Sequence, residues 1–174
     1  MPFSDWIQLL RHRAETEPER NTFTFLNMAK GSEEVLTNAE LDLRARALAV
    51  SLAPFAGQPV LLLFPPGMPY LTAFFGCLYA GVIAVPAYPP NPNRLHRSLP
   101  RLAGMVKDAG IKVVLTTDEL AQARKRTKRP MPLFDQLQWH TISRKLSAAD
   151  SWQLPPGVNG QTTARLEYTQ NPDK

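Results

Sequence analysis

The residues that could catalyse a reaction or bind a metal are few and lie far apart along the chain. The three histidines are His12, His96 and His140, and none has a second histidine or a carboxylate at the spacing of a metal site. Glu33 and Glu34 fall in a predicted hairpin turn, where charged side chains are most simply solvated. We predict no catalytic and no metal-binding residue among these side chains, and a surface position for His96.

Two further carboxylates, Glu40 and Asp42, stand at the start of a predicted helix. Thr37 and Glu40 fit a capping box, in which a hydroxyl and a carboxylate three residues later satisfy two free amides. Asp42 follows on the predicted solvent face of this helix, together with Arg44 and Arg46. A cap and an exposed face do not make an acid–base pair, so we predict no general acid–base catalysis here.

Cys77 is the single cysteine of the chain, which excludes a disulfide framework and a cysteine zinc site among these residues. It lies in an apolar helical segment, where we expect a small buried hydrophobe and no nucleophile. The same segment carries a stripe of Phe74, Phe75, Leu78 and Tyr79. The stripe could line an acyl tunnel, but its spacing favours ordinary apolar core.

Phosphate-binding loops are also missing from the sequence. No G-x-G-x-x-G follows a predicted strand, and no glycine-rich loop ends in Lys and Ser or Thr. The predicted strands end instead at Pro65-Pro66-Gly67-Met68, at Pro86 to Pro90, and at Thr116-Thr117-Asp118. Prolines lack the N–H group that would bind an anion, so we predict no cofactor-binding residue from these loops.

The formal net charge of +5 comes from one short basic run, because the rest of the chain has a net charge of zero without it. The run consists of Arg124, Lys125, Arg126, Lys128 and Arg129. No aromatic or polar side chain that could contact bases lies within this run, so we expect a solvated helix end and loop and no nucleic-acid partner.

The sequence shows no membrane or export signal. No apolar run approaches the roughly 18 residues of a membrane span, and the N-terminus lacks a signal-peptide pattern. We expect a reduced cytoplasmic protein.

The remaining segments must be organised around the stretch from Tyr70 to Pro90. It begins as an apolar helix with small residues, breaks at Gly81, continues as a β-branched strand and is predicted to stop at Pro86 and the Pro89-Pro90 pair. The strand has no polar alternation, which is typical of a strand covered on both faces. Neighbouring elements must therefore supply layers on each side.

Strand–helix alternation from Val60 onward predicts an α/β fold. Its mostly parallel sheet has helices on both faces and is preceded by a helix and a β-hairpin. Ligands in such folds bind beyond the carboxyl ends of the strands. The predicted elements are a helix capped by Ser4 with apolar Trp6, Leu9, Leu10 and Ala14; a hairpin of Thr22–Leu26 and Val35-Leu36 with its turn around Lys30; strands at Pro59–Phe64, Val113–Leu115 and Trp139–Ile142; a helix beginning near Ser98 and Pro100; and a helix from Glu119 to about Arg126 capped by Asp118.

Two segments carry a family resemblance. LTNAELDLRARALA (Leu36 to Ala49) and LLLFPPGMPYLTAFFGCLYAGVIAVPAYPPNPNR (Leu61 to Arg94) resemble the front of fatty acyl-AMP ligases. These ligases belong to the adenylate-forming superfamily, with acyl-CoA synthetases and nonribosomal adenylation domains. Cys77 to Pro90 looks like the second core motif of the superfamily, and its YPP ending favours the ligase branch.

The resemblance implies the first subdomain of the adenylate-forming enzyme fold. It also implies that the intact family uses ATP and magnesium to convert a fatty acid to an acyl-adenylate, which then passes to an acyl carrier protein. Residues 1–156 correspond to the N-terminal part of the large domain, and residues 157–174 to a linker and degenerate tail where the phosphate loop would begin. Leu166 to Thr169 looks like the strand before that loop, but no glycines follow, so we do not assign Lys174 as the loop lysine.

No catalytic residue of the family has a matching position in these residues. We expect a truncated N-terminal ligase fragment that needs no cofactor of its own and is inactive alone, so whether the chain is an enzyme stays open. The alternative is a non-catalytic interaction domain, or half of a split ligase that binds a partner polypeptide. The expected partners are the remainder of a ligase or an acyl carrier protein, and exposed apolar surface would mark either state.

Overall fold

The computed structural model describes residues 3–28, 31–90, 95–126, 131–142 and 146–169. Lys30, the side chain of His96, Lys128, Arg129 and Lys174 lie outside the described residues. The helices are α1 Trp6–Thr16, α2 Asn38–Leu52, α3 Met68–Tyr79, α4 Leu95–Asp108, α5 Asp118–Arg126 and α6 Pro132–Asp135, with short 3-10 helices at Ala53–Phe55 and Leu146–Ser151. The strands are β1 Asn21–Asn27, β2 Ser32–Thr37, β3 Pro59–Leu63, β4 Ile83–Ala87, β5 Val113–Thr116 and β6 Gln138–Thr141.

Strands β3 to β6 form one parallel sheet in the order β4-β3-β5-β6, and β1 and β2 form a separate antiparallel hairpin. Alternate residues of β3 enter different cores. Val60 and Leu62 pack with residues of α1, α2 and α3, whereas Leu61 and Leu63 pack with residues of α4 and α6. The predicted α/β fold, with helices on both faces after a helix and a hairpin, is confirmed.

The stretch from Tyr70 to Pro90 forms most of α3 and the edge strand β4. Gly76 of α3 faces Leu48 of α2 so closely that a Cβ at Gly76 would lie 2.5 Å from the Leu48 side chain. Gly81 follows α3 with a φ of 64°, a left-handed conformation that glycine adopts without a steric penalty. The chain then turns directly into β4, as the glycine break predicts.

Pro86 lies inside β4, contrary to the predicted stop there, and the strand ends at Ala87, before the Pro89-Pro90 pair. The backbone N–H of Ala84 donates to Ala164 and its carbonyl accepts from Leu166, so the groups of Ala84 point away from β3. Residues two apart on a strand share this direction, and Pro86 therefore needs no N–H toward β3. Proline is tolerated here because β4 is paired on that outer side at a single isolated bridge, between Ala84 and Arg165, within the described residues.

The ends of α1 and α4 differ from prediction. Asp5, and not Ser4, caps α1 by accepting the Gln8 amide at 2.8 Å. Trp6 is 66% exposed, and the buried residues of α1 are Ile7 and Leu10. Helix α4 begins at Leu95 and includes Pro100, whereas Ser98 and Pro100 were expected to mark its start.

Two helix caps show how local side chains set the element boundaries. Thr37 accepts the Glu40 amide at 3.2 Å and Glu40 accepts the Thr37 amide at 3.1 Å, which confirms the capping box of α2. At α5 the hydroxyl of Thr117 accepts the Leu120 amide, so Thr117 takes the capping position that we predicted for Asp118. Among the described residues, no helix combines the length and the apolar character needed to span a bilayer.

Candidate functional site

Two clefts open at the carboxyl edge of the parallel sheet, where ligands of α/β folds bind. The first, the β4 cleft, has a volume of about 280 Å³. The second, the β5 cleft, has a volume of about 400 Å³. The β4 cleft is lined by Phe64, Pro65, Pro66, Tyr70, Pro86, Ala87, Tyr88 and Arg101. The β5 cleft is lined by Glu34, Arg44, Met68, Pro69, Thr72, Thr117, Asp118, Glu119, Ile142 and Leu146.

The β4 cleft is mostly aromatic and proline, with Arg101 as its charged residue. Burial is the main cause that raises the pKa of Tyr70, so this phenol is neutral across the physiological range. Tyr88 is 69% exposed, which leaves a large aromatic ring at the open edge of the sheet. Arg101 could contact an anion, but the cleft as described has the apolar character of a packing surface.

The segment from Ala164 to Thr169 pairs with β4 at one isolated bridge, between Ala84 and Arg165, within the described residues. Its backbone is held by the hydrogen bonds between Ala84 and Ala164 and between Leu166 and Ala84, at 3.0 and 2.9 Å. The Tyr168 hydroxyl then donates to Asp108 of α4 at 2.5 Å. This hydrogen bond is the main cause that raises the pKa of Tyr168 to about 12. The predicted strand end at Leu166 to Thr169 is therefore docked on the sheet.

Asp42 is buried, at 3% exposure, and our prediction of a solvent position is wrong. Its carboxylate accepts hydrogen bonds from Arg11 and Arg46, each at 2.8 Å, and from the Tyr79 hydroxyl at 3.0 Å. Burial, followed by the charge of Asp42, holds the pKa of Tyr79 far above its ordinary value. Sequence reasoning missed this cluster because Arg11 lies on another helix, although the spacing of Asp42 and Arg46 fits an i, i+4 ion pair.

The Asp42 cluster joins α1, α2 and α3 to the chain after β6. Arg46 also donates to the Ala149 carbonyl at 2.8 Å, and the Trp152 indole donates to the Tyr79 carbonyl at 3.1 Å. Each polar atom that these contacts name has a partner within the protein, so the cluster fits a structural role and offers no free group for chemistry.

The cysteine and the histidines that the sequence analysis considered do not come together in a site within the described residues. Burial raises the pKa of the Cys77 thiol to about 12, as expected for an inert buried cysteine. His12 packs on Phe3 and His140 packs on Phe55, so these two rings contact aromatic neighbours and not each other. No group of three or more potential metal ligands occurs in the part of the chain that the structure describes.

The aromatic stripe of α3 packs into the protein as predicted for core. Phe75 contacts Phe74 and also Phe23 of the hairpin, with ring centroids 5.5 and 5.7 Å apart. Tyr79 is fully buried. In the basic run, Arg124 pairs with Asp135 of α6, while Lys125 is exposed. Arg124 and Lys125 also line a further cleft of about 460 Å³, together with Asp118 and Asp135.

Sequence comparison assigns the family. The sequence pattern of the AMP-binding enzyme family matches residues 10–170, which is nearly the whole chain. The chain belongs to the AMP-binding enzyme family. The chain has the α/β arrangement of the first subdomain of adenylate-forming enzymes.

The relatives of the chain include fatty acid ligases. It is 40% identical over 172 residues to the medium-chain-fatty-acid–[acyl-carrier-protein] ligase JamA of Moorena producens, which covers 96% of the chain and 29% of JamA. It is 34% identical over 139 residues to Disco-interacting protein 2 homolog A of Homo sapiens, covering 77% of the chain and 9% of that protein.

A solved structure gives the same relationship in three dimensions. The fatty acyl-adenylate ligase from L. pneumophila, in complex with acyl adenylate and pyrophosphate, superimposes with a TM-score of 0.81 at 34% identity. The alignment covers 97% of this chain and 28% of the ligase. The chain thus spans less than a third of the length of these relatives, and the resemblance to fatty acyl-AMP ligases is confirmed.

Proposed function

We propose that this chain forms the first part of the large domain of a fatty acyl-AMP ligase and does not catalyse adenylation by itself. One observation carries the proposal. Fatty acid ligases match 96–97% of the chain at 34–40% identity, whereas the chain matches only 28–29% of their length. In this proposal residues 1–156 are the structural front of the domain, and residues 157–174 lead toward the segment that would bind phosphate.

The reaction proposed for the complete protein is ATP-dependent activation of a fatty acid, followed by transfer to an acyl carrier protein. ATP and magnesium would serve the complete enzyme. The residues described do not fit these groups, because Pro65, Pro66 and Pro86 supply no N–H at the β4 cleft and no three potential ligands lie close enough together to hold a metal ion among the described residues. We therefore derive no step of adenylation from these residues.

In this proposal the chain serves to position the segment from Ala164 to Thr169. The segment from Ala164 to Thr169 is held by β4 through Ala84 and by α4 through the Tyr168–Asp108 hydrogen bond. These contacts fix the course of the chain up to Thr169, and in this proposal they set the direction in which a continuing chain leaves the sheet. The single cysteine, Cys77, is buried and unpaired, and we place this function in the reducing cytoplasm.

A pyrophosphate-exchange assay tests the catalytic part of the proposal. We expect the purified 174-residue chain to show no fatty-acid-dependent exchange of labelled pyrophosphate into ATP, because these residues include no glycine-rich phosphate loop. A complete ligase such as JamA, assayed in parallel, provides the positive control. Exchange above background by the isolated chain would contradict the proposal.

A second candidate function is association with a separate polypeptide. Tyr88 and Leu166 are exposed apolar residues near the partly paired β4 edge, which favours a surface that another chain covers. Mixing the chain with a JamA variant that lacks the aligned portion distinguishes the two forms of this candidate. Restored exchange supports a split ligase, binding without exchange supports an interaction domain, and no binding argues against both.

A further inference from the structure

The β5 cleft contains a buried hydroxyl without a protein partner. Thr72 lies one helical turn after Met68 in α3, is only 4% exposed and lines the cleft. Its hydroxyl makes no hydrogen bond to any other described residue, and it still retains contact with the cleft space. Because the hydroxyl is accessible from the cleft and has no hydrogen bond within the protein, it can bond to a ligand atom that enters the cleft.

The charged residues of the β5 cleft are also unpaired. Arg44 of α2 is half-buried, and it makes no ion pair or hydrogen bond within the described residues. Asp118 and Glu119 begin α5 on the cleft rim, and Glu34 approaches from the hairpin; these carboxylates also lack ion-pair partners in the same part of the chain. The cleft therefore presents a positive group and separate negative groups to the same space.

The rest of the lining is apolar. Met68 and Pro69 belong to the first turn of α3, and Ile142 and Leu146 flank the exit from β6. A volume of about 400 Å³ lies within the roughly 300–1,000 Å³ of small-molecule sites, which usually combine apolar walls with a few placed polar groups. The cleft has both components.

We propose that the β5 cleft binds a small zwitterion with an apolar body, of which an apolar free amino acid is the simplest example. Arg44 contacts the carboxylate of the ligand, and Thr72 hydrogen-bonds to the same carboxylate. Asp118 and Glu119 face its ammonium group, and the apolar part packs on Met68 and Ile142. This inference does not depend on the adenylation reaction, because the β5 cleft shares no lining residue with the β4 cleft.

A purely anionic or purely cationic ligand fits less well. An anion would satisfy Arg44 but would bring a negative charge toward Asp118, Glu119 and Glu34. A cation would satisfy the carboxylates but would leave Arg44 without a partner and add a positive charge beside it. A zwitterion avoids both repulsions.

Three probes that share one apolar body test the charge requirement. L-leucine carries both charges, isopentylammonium is leucine without its carboxylate, and isocaproate is leucine without its ammonium group. Binding is measured by titrating each probe into the isotopically labelled chain and following backbone amide shifts at Thr72, Asp118 and Glu119. We expect saturable shifts with leucine and at least about tenfold weaker binding of each single-charge probe, since a hydrogen bond to a charged group is lost.

Matched variants locate the ligand in the cleft. Thr72→Val keeps the side-chain shape and removes the hydroxyl, and Arg44→Gln removes the charge; both should weaken leucine binding, and Arg44→Gln should make leucine and isopentylammonium bind equally. Arg101→Gln, in the β4 cleft, should leave binding unchanged. The proposal is overturned if leucine gives no saturable shifts, if either single-charge probe binds as tightly as leucine, or if Thr72→Val and Arg44→Gln have no effect.

Discussion

At the residue scale, sequence reasoning misplaced the side chains whose hydrogen-bond partners lie far away along the chain. Asp42 was expected in solvent because its local sequence is polar, yet Arg11 and Tyr79 approach it from two other helices. Cys77 was placed correctly because its apolar neighbours on the same helix are sufficient to indicate burial. Likewise, the Thr37–Glu40 pair needs only four consecutive residues.

Replacing Asp42 by Asn should destabilise the protein by about 2–3 kcal/mol, because two arginines and a buried phenol lose a charged hydrogen-bond partner. Urea unfolding followed by circular dichroism measures the change in the free energy of unfolding. Glu15→Gln is the matched control, since Glu15 pairs with the same Arg11 at an exposed site and should cost under about 0.5 kcal/mol. Equal effects of the two substitutions would show that the Asp42 cluster is not formed.

Cys77 should not react with a thiol reagent in the folded protein at neutral pH. Its side chain is fully buried and its pKa is raised to about 12, so the reactive thiolate is both inaccessible and scarce. In denaturant the same thiol should titrate completely. Rapid labelling of the native chain would contradict the packing of α3 against α2.

Tyr168 should titrate about two units above an ordinary tyrosine, because its hydroxyl donates to Asp108. Since the pKa in the folded state lies above the unfolded value of 10.0, this hydrogen bond stabilises the protein below pH 10 and the stabilisation disappears as the pH rises through about 12. Ultraviolet titration measures the phenol, with Tyr168→Phe identifying its signal. Asp108→Asn should lower this pKa toward 10, and an unchanged titration would count against the contact.

At the element scale, strand periodicity and helix stripes predicted the sheet, the hairpin and the two helical layers. The predicted strand at Trp139–Ile142 corresponds to β6 within one residue at each end. The start of α4 was wrong because Ser98 and Pro100 are typical of a helix beginning, but the helix starts earlier, at Leu95. Local signals could not place the clefts, since the β5 cleft combines residues from five different parts of the chain.

Two glycine substitutions test the packing of α2 on α3. Gly76→Ala should destabilise the protein by about 1–3 kcal/mol, because the new methyl group would lie 2.5 Å from the Leu48 side chain. Gly104→Ala in α4 is the control: nothing lies within 4 Å of its added Cβ, so it should stabilise the protein by about 0.5–1 kcal/mol. Thermal melts of the two variants should therefore shift in opposite directions. A stabilising Gly76→Ala would contradict the close contact.

At the scale of the whole molecule, the sheet edges and the exposed apolar residues suggest surfaces that further chain covers. On its outer side β4 is paired at one bridge, and Tyr88, Leu26 and Met28 are well exposed apolar side chains. Such surfaces favour association. We therefore predict that the isolated 174-residue chain self-associates as its concentration rises, as measured by sedimentation velocity. A monomer at all concentrations, with a sharp and reversible thermal transition, would contradict this prediction.

The central claim is that this chain provides the first, structural part of the large domain of a fatty acyl-AMP ligase, and that the residues that catalyse the reaction lie outside it. A chimera tests it most directly, with residues 3–169 of this chain replacing the aligned portion of JamA. We predict that the folded chimera retains fatty-acid-dependent pyrophosphate exchange, whereas the 174-residue chain alone shows none. Circular dichroism and a cooperative melt establish that the chimera is folded. A folded chimera without exchange, or an isolated chain with exchange, would contradict the claim.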